Sequence, residues 1–148
     1  LDELLPLLRD RYRIVDRHDR VFLMGTDLAG YSSIYAILKR PEVFGGAAAQ
    51  SIYSANRAMM ASLTELLQEQ GGAGPSIYMD WTTWERIEPD NDIDVARDNR
   101  ELAALLEENG YNVTRKEVAS GPGWGTWRSR TRTRRRSSGA STGSRRAD

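Results

Sequence analysis

Arg20-Val21-Phe22-Leu23-Met24-Gly25-Thr26-Asp27-Leu28-Ala29-Gly30 is the stretch that decides how this chain folds. Val21 to Met24 is a short unbroken apolar run, bounded by charge on one side and by glycine on the other. Such a run suits a strand buried on both faces, as in a parallel sheet. The chain then enters a helix directly, because Leu28, Tyr31, Tyr35 and Leu38 recur at helical spacing until Pro41 stops them. Upstream, Leu1, Leu4, Leu5, Leu8 and Tyr12 line one face and predict a helix over 2–13. Downstream, Val43 to Gln50 reads as a strand, and Met59, Leu63, Leu66 and Leu67 as a helix closed by Gly71-Gly72. Ser76-Ile77-Tyr78-Met79 is another strand, and 81–91 a loop rich in Pro and Asp. Val95, Leu102, Leu105 and Leu106 mark a helix from about Asp92 to Asn109, capped by Gly110. Tyr111 to Val118 is the last strand. Strands alternating with helices of this length mean βαβ units and a parallel sheet, so the fold class is α/β.

Four such strands make half of a doubly wound sheet. The first would lie open on one side unless a preceding half covered it, and unpaired buried backbone is costly. With Leu1 in place of a starting Met, the chain reads as the C-terminal part of a domain whose N-terminal half lies upstream.

Composition narrows the chemistry. The 148 residues include no Cys, which removes disulfides, thiol nucleophiles and Cys-based zinc clusters. No apolar run approaches the ~18 residues of a membrane span. The only histidine, His18, sits among charges in Asp16-Arg17-His18-Asp19-Arg20 and reads as a solvated loop residue. Glu88, Asp90, Asn91, Asp92 and Asp94 lack the register of a Ca²⁺ loop and read as acids at a helix start. No metal or other cofactor is implied.

The net charge of zero conceals two unlike parts. Residues 1–127 carry 13 basic and 20 acidic side chains, whereas 128–148 carry eight Arg and only Asp148. The second part has no large apolar residue and is expected to be a disordered Arg/Ser-rich tail. An arginine cluster attracts nucleic acid or acidic lipid. Its mixture of Arg, Ser, Thr, Gly and Ala is also what out-of-frame translation of GC-rich codons gives, and that reading is preferred to a nucleic-acid role.

The series of motifs resembles the putative esterase family of α/β-hydrolases, which includes enterochelin-esterase-like and feruloyl-esterase-like enzymes and mycolyltransferase antigens. Leu4-Leu5-Pro6 through Tyr12-Arg13, Asp19-Arg20-Val21 and Met24-Gly25 are similar to the approach to that family's nucleophile elbow. Tyr31, Leu38-Lys39-Arg40-Pro41-Glu42-Val43-Phe44-Gly45 and Gln50-Ser51 match the segment after it. Asn99-Arg100-Glu101-Leu102, Leu105-Leu106 and Gly110-Tyr111-Asn112-Val113 resemble the penultimate helix and last strand. Gly121 through Trp124, then Trp127-Arg128, resembles the segment that carries the catalytic His.

The resemblance implies an acyl-transfer site built from a nucleophile, a base and an acid. On this chain the nucleophile position is Asp27, followed by the Leu28 N–H as oxyanion donor, and the base position is Pro122. The acid position falls on Glu85, with Asp80 second. An elbow Asp can form an ester intermediate, but a base must then activate water, and Pro122 offers none. Asp27 therefore reads as the cap of the following helix. Trp81, Trp84, Trp124 and Trp127 fall in the two loops flanking the vacant site and are candidates to line a cleft for a small ester, sugar or aromatic ligand. The sequence thus reads as a non-catalytic pseudo-esterase. The competing readings are a working carboxylic-ester hydrolase, with Asp27 as nucleophile or a base from elsewhere in the protein, and nucleic-acid binding through the tail.

Overall fold

The computed structural model describes residues 3–14, 17–70 and 74–137. Helix α1 (Leu4–Arg11) precedes strand β1 (Phe22–Thr26), which turns into α2 (Leu28–Lys39). Strand β2 (Gly46–Gln50) leads to α3 (Arg57–Gln70), and β3 (Ser76–Thr82) leads to a short antiparallel pair, β4 (Ile87–Glu88) and β5 (Ile93–Asp94). Helix α4 (Val95–Glu108), β6 (Val113–Val118) and α5 (Trp124–Ser137) complete the described chain.

The four long strands are parallel, in the order β1-β2-β3-β6. Their C-terminal ends form one edge, where the turns after β1, β2 and β3 meet. Strand β2 is Gly-Ala-Ala-Ala-Gln and buried throughout, and its small side chains let α2 lie close against it. Ile34, Ile37 and Leu38 of α2, Leu63 and Leu67 of α3, and Leu102 and Leu106 of α4 join Ile77 and Met79 of β3 in one core. Leu63, Leu67, Leu102 and Leu106 are among the apolar positions whose helical spacing marked α3 and α4, and Leu38 marked α2, whose Leu28 and Tyr35 are instead exposed. Asp94 starts α4 by accepting the Arg97 amide at 3.0 Å, the bond of an N-cap.

Four details depart from the sequence reading. Strand β1 is an edge strand whose Phe22 is 61% and Met24 52% exposed, so it is not buried on both faces. Strand β3 runs on through Thr82, which takes Trp81 out of the expected loop and into the sheet. Helix α1 has no buried residue: among the described residues its apolar stripe is at most half-buried, at Leu5 and Leu8. The disorder expected from residue 128 is replaced by helix as far as Ser137, while 138–148 lie outside the described residues. Gly71-Gly72, read as the end of α3, also lies outside them.

Candidate functional site

The turn from β1 into α2 is sharp because its flanking residues are small. A Cβ on Gly25 would stand 2.2 Å from the Ala29 carbonyl oxygen, a distance no side chain tolerates. Asp27, between them, has φ 59° and ψ −130°, a conformation that non-glycine residues adopt at a cost of about 1–3 kcal/mol. The neighbouring strand holds it there. The Asp27 amide donates to the Gln50 carbonyl at 3.0 Å, and its own carbonyl accepts the Tyr31 amide at 3.2 Å. Its carboxylate therefore sits at the C-terminal edge of the sheet. Oδ1 accepts the Leu28 N–H at 2.7 Å, and Oδ2 accepts Arg86 Nη2 at 3.1 Å. The Leu28 amide, expected as an oxyanion donor, is thus engaged by Asp27 itself.

A cavity of about 430 Å³ opens beside this turn, and Asp27, Glu85, Pro122, Trp124 and Trp127 all line it. Five positions separated by up to a hundred residues thus line one cavity. Glu85 is fixed through one oxygen: Oε1 accepts the Thr82 N–H and Thr82 Oγ1, both at 2.8 Å, and Ser51 Oγ at 2.5 Å. Ser51 follows β2 with φ 46°, and its Oγ accepts Trp127 Nε1 at 3.0 Å and Arg130 Nη2 at 3.2 Å. Behind it, Arg130 Nε lies 3.3 Å from Asp80 Oδ1 in a buried ion pair. Asp80 Oδ2 also accepts Gln50 Nε2 at 3.2 Å and Tyr78 OH at 2.9 Å. On the opposite wall, Arg86 lies 4.3 Å over the Tyr53 ring and 3.4 Å from Glu88. Hydrogen bonds from Asn91, then from Tyr53 and Arg86, hold the Glu88 carboxyl below the usual carboxylate range.

The remaining candidates lie elsewhere. Asp80 is fully buried in β3 and committed to Arg130, so it does not reach the cavity. Trp81 is 3% exposed and donates its indole N–H to Glu117 Oε2 at 3.0 Å; it belongs to the core, not to the cleft. Trp84 is 65% exposed and outside the cavity lining. His18 stands in a short 3-10 turn, His18–Arg20, that leads into β1 at the opposite end of the strands from the elbow. Ser51, Arg86 and Arg130 were given no role by the sequence reading. For Arg130 a signal existed: it follows Trp127 by three residues and shares its helix face.

A parallel sheet whose strand turns into a helix through a residue held at positive φ, with the next two strand ends closing a cavity around it, defines an α/β-hydrolase fold. The chain belongs to the Putative esterase family, whose profile matches residues 1–133. It is similar to the enterobactin esterase FES from Shigella flexneri, solved in the presence of 2,3-dihydroxy-N-benzoyl-glycine. The two share 30% identity at a TM-score of 0.62, over 80% of this chain and 31% of that one. An enterochelin esterase from Shigella flexneri matches at 25% identity and TM-score 0.71, over 88% of this chain and 33% of that one. A ferulic acid esterase, at 14% identity and TM-score 0.69 over 89% of this chain and 55% of that one, shares the fold. The chain therefore spans about a third of the length of the two Shigella esterases. Among curated proteins none matches it.

Proposed function

We propose that this chain is the C-terminal part of an esterase-family α/β-hydrolase domain that has lost its ester chemistry and serves as a non-catalytic, ligand-binding pseudo-esterase. The observation that carries this reading is the state of Asp27. It stands at the elbow, where the family's nucleophile stands, yet both of its carboxylate oxygens are engaged, one by the Leu28 amide and one by Arg86. A carboxylate held in this way acts as a cap and a counter-ion. In the base position, the Pro122 side chain has no atom able to accept a proton. Glu85 keeps the acid position but orients Ser51 instead of an imidazole. Acyl transfer needs all three members acting together.

The test is a short-chain p-nitrophenyl ester assay on the complete protein, beside its Asp27→Ala variant. The expected result is no steady-state turnover above background for either protein. Turnover by the parent that Asp27→Ala abolishes would make Asp27 a true nucleophile, served by a base from the rest of the protein. The ligand classes that suit the cavity by analogy with the esterases are small esters, sugars and aromatic groups.

A further inference from the structure

We infer that the cleft seats a small organic ammonium ion, with Glu85 as its counter-ion and Trp124 and Trp127 as its aromatic walls. This names the ligand class of the non-catalytic site and rests on that reading. The charged residues lining the cavity are Asp27, Glu85 and Arg86. Arg86 is already shared between Asp27 and Glu88. Among the described residues Glu85 has no cation within ion-pair distance. Arg130 is reached only through the Ser51 hydroxyl, and its charge is opposed by Asp80. Of the charged residues that line the cavity, Asp27 and Glu85 are acidic and only Arg86 is basic, so the lining is one charge negative.

The hydrogen bonds found on Glu85 all fall on Oε1, which leaves Oε2 as its acceptor for an incoming N–H. The Pro122 side chain, which also lines the cavity, has no polar group to compete for it. Trp124 is 78% exposed and meets Trp127 edge-on, with ring centroids 5.2 Å apart at 82°. An ammonium ion between an indole face and a carboxylate gains both attractions in one place. The opposite wall already shows that chemistry built into the fold: the Arg86 guanidinium lies on the Tyr53 ring, with Asp27 and Glu88 as its carboxylates. An anionic ligand would have to take Arg86 from partners that already neutralise it, and would then face Glu85.

The probes are benzylammonium, benzyl alcohol and benzoate, which share a ring and differ in charge. They are titrated into the complete protein and followed by tryptophan fluorescence. Benzylammonium should bind saturably and about tenfold or more tighter than benzyl alcohol, with benzoate weakest. Glu85→Gln keeps an acceptor oxygen for Ser51 and Thr82 and should reduce the affinity for benzylammonium by a similar factor while leaving benzyl alcohol unchanged. Trp124→Ala should weaken both. If Glu85→Gln does not fold, the parent still decides: its affinity for benzylammonium should fall with added salt while that for benzyl alcohol does not. Benzoate binding as tightly as benzylammonium, or an affinity for benzylammonium indifferent to both Glu85→Gln and salt, overturns the inference. These titrations do not read ester turnover, so failure of the non-catalytic reading would show separately, as hydrolysis in the ester assay.

Discussion

On the proposed reading, Asp27 and Pro122 stand in the nucleophile and base positions, and repairing either alone should fail. A serine hydroxyl needs a base to remove its proton, and the base needs an acid to hold its ring. Asp27→Ser in the complete protein leaves Pro122 without a proton acceptor, and Pro122→His leaves Asp27, a weak nucleophile towards acyl carbon. Triad members act as a unit, so measurable p-nitrophenyl ester hydrolysis is expected only from the double variant, and far above the sum of the two singles. Equal activity in Asp27→Ser alone would show that a base reaches the elbow from elsewhere. A second single-residue prediction concerns Glu117, which sits across from Trp81 in the β3–β6 pairing. The Arg100 guanidinium, 2.7 and 2.8 Å away, and then the Trp81 indole hold its carboxyl at about 2, against an ordinary 4.5. Because the folded value is lowered, this stabilisation is full above the ordinary value and is lost as pH falls from there towards 2. Urea unfolding of parent and Glu117→Gln should therefore differ most near neutral pH and converge through that window. A constant difference across it would refute the assignment. Asp27, Glu85 and Pro122 were singled out from the family resemblance, and the three line one cavity. Ser51 and Arg86 were given no role, since their bonds run to Glu85 and Asp27, 34 and 59 residues away, and leave no local pattern.

The elements with a regular apolar period were readable, and those held by polar contacts were not. Helices α3 and α4 bury most of the residues whose spacing announced them, and α2 buries Tyr31 and Leu38 of its four, whereas α5 has few apolar residues and looked structureless. Its first turns are held instead by the Trp127 indole on Ser51 and by Arg130 against Asp80, a buried pair with side chains 7% and 1% exposed. No hydrophobicity pattern reports such a contact. Trp81 was misplaced for a related reason: an indole beside Asp and Thr resembles a loop until its N–H partner, Glu117 on the next strand, is known. Removing one member of a buried pair strands the other charge in the interior, at a cost of about 3–5 kcal/mol. Arg130→Met should therefore destabilise the protein by about that much in urea unfolding, while Asp80→Asn combined with Arg130→Met should recover a good part of the loss. The Trp127 fluorescence should shift in the single variant as α5 loosens. If the single and double variants lose the same stability, α5 is not held by this pair.

The described residues form a four-stranded parallel sheet with one well-covered face and two edge strands, β1 and β6. Its α/β class could be read from the alternation of strands and helices, because every βαβ unit is local in sequence. The burial of β1 could not, because it depends on what lies beside the strand and not on what the strand contains. Val21-Phe22-Leu23-Met24 has the composition of a fully buried strand, yet the described residues leave Phe22 61% and Met24 52% exposed on a strand with one neighbour among them. A free parallel edge presents a row of unpaired N–H and C=O groups, and beside it Phe22 and Met24 join Ala48 and Tyr78 around an apolar hollow of about 400 Å³. An exposed apolar patch next to an open edge is a site of self-association. Expressed as these 148 residues, the protein should therefore run above its 16.7 kDa mass in size exclusion with light scattering, with the excess growing as concentration rises. Phe22→Lys together with Met24→Lys places charge on both the edge and the hollow and should return the mass towards the monomer without unfolding the core on the opposite face. A monodisperse monomer with a single cooperative thermal transition, unchanged by the two lysines, would mean that the edge and the hollow are tolerated in water and that β1 needs no neighbour on its open side.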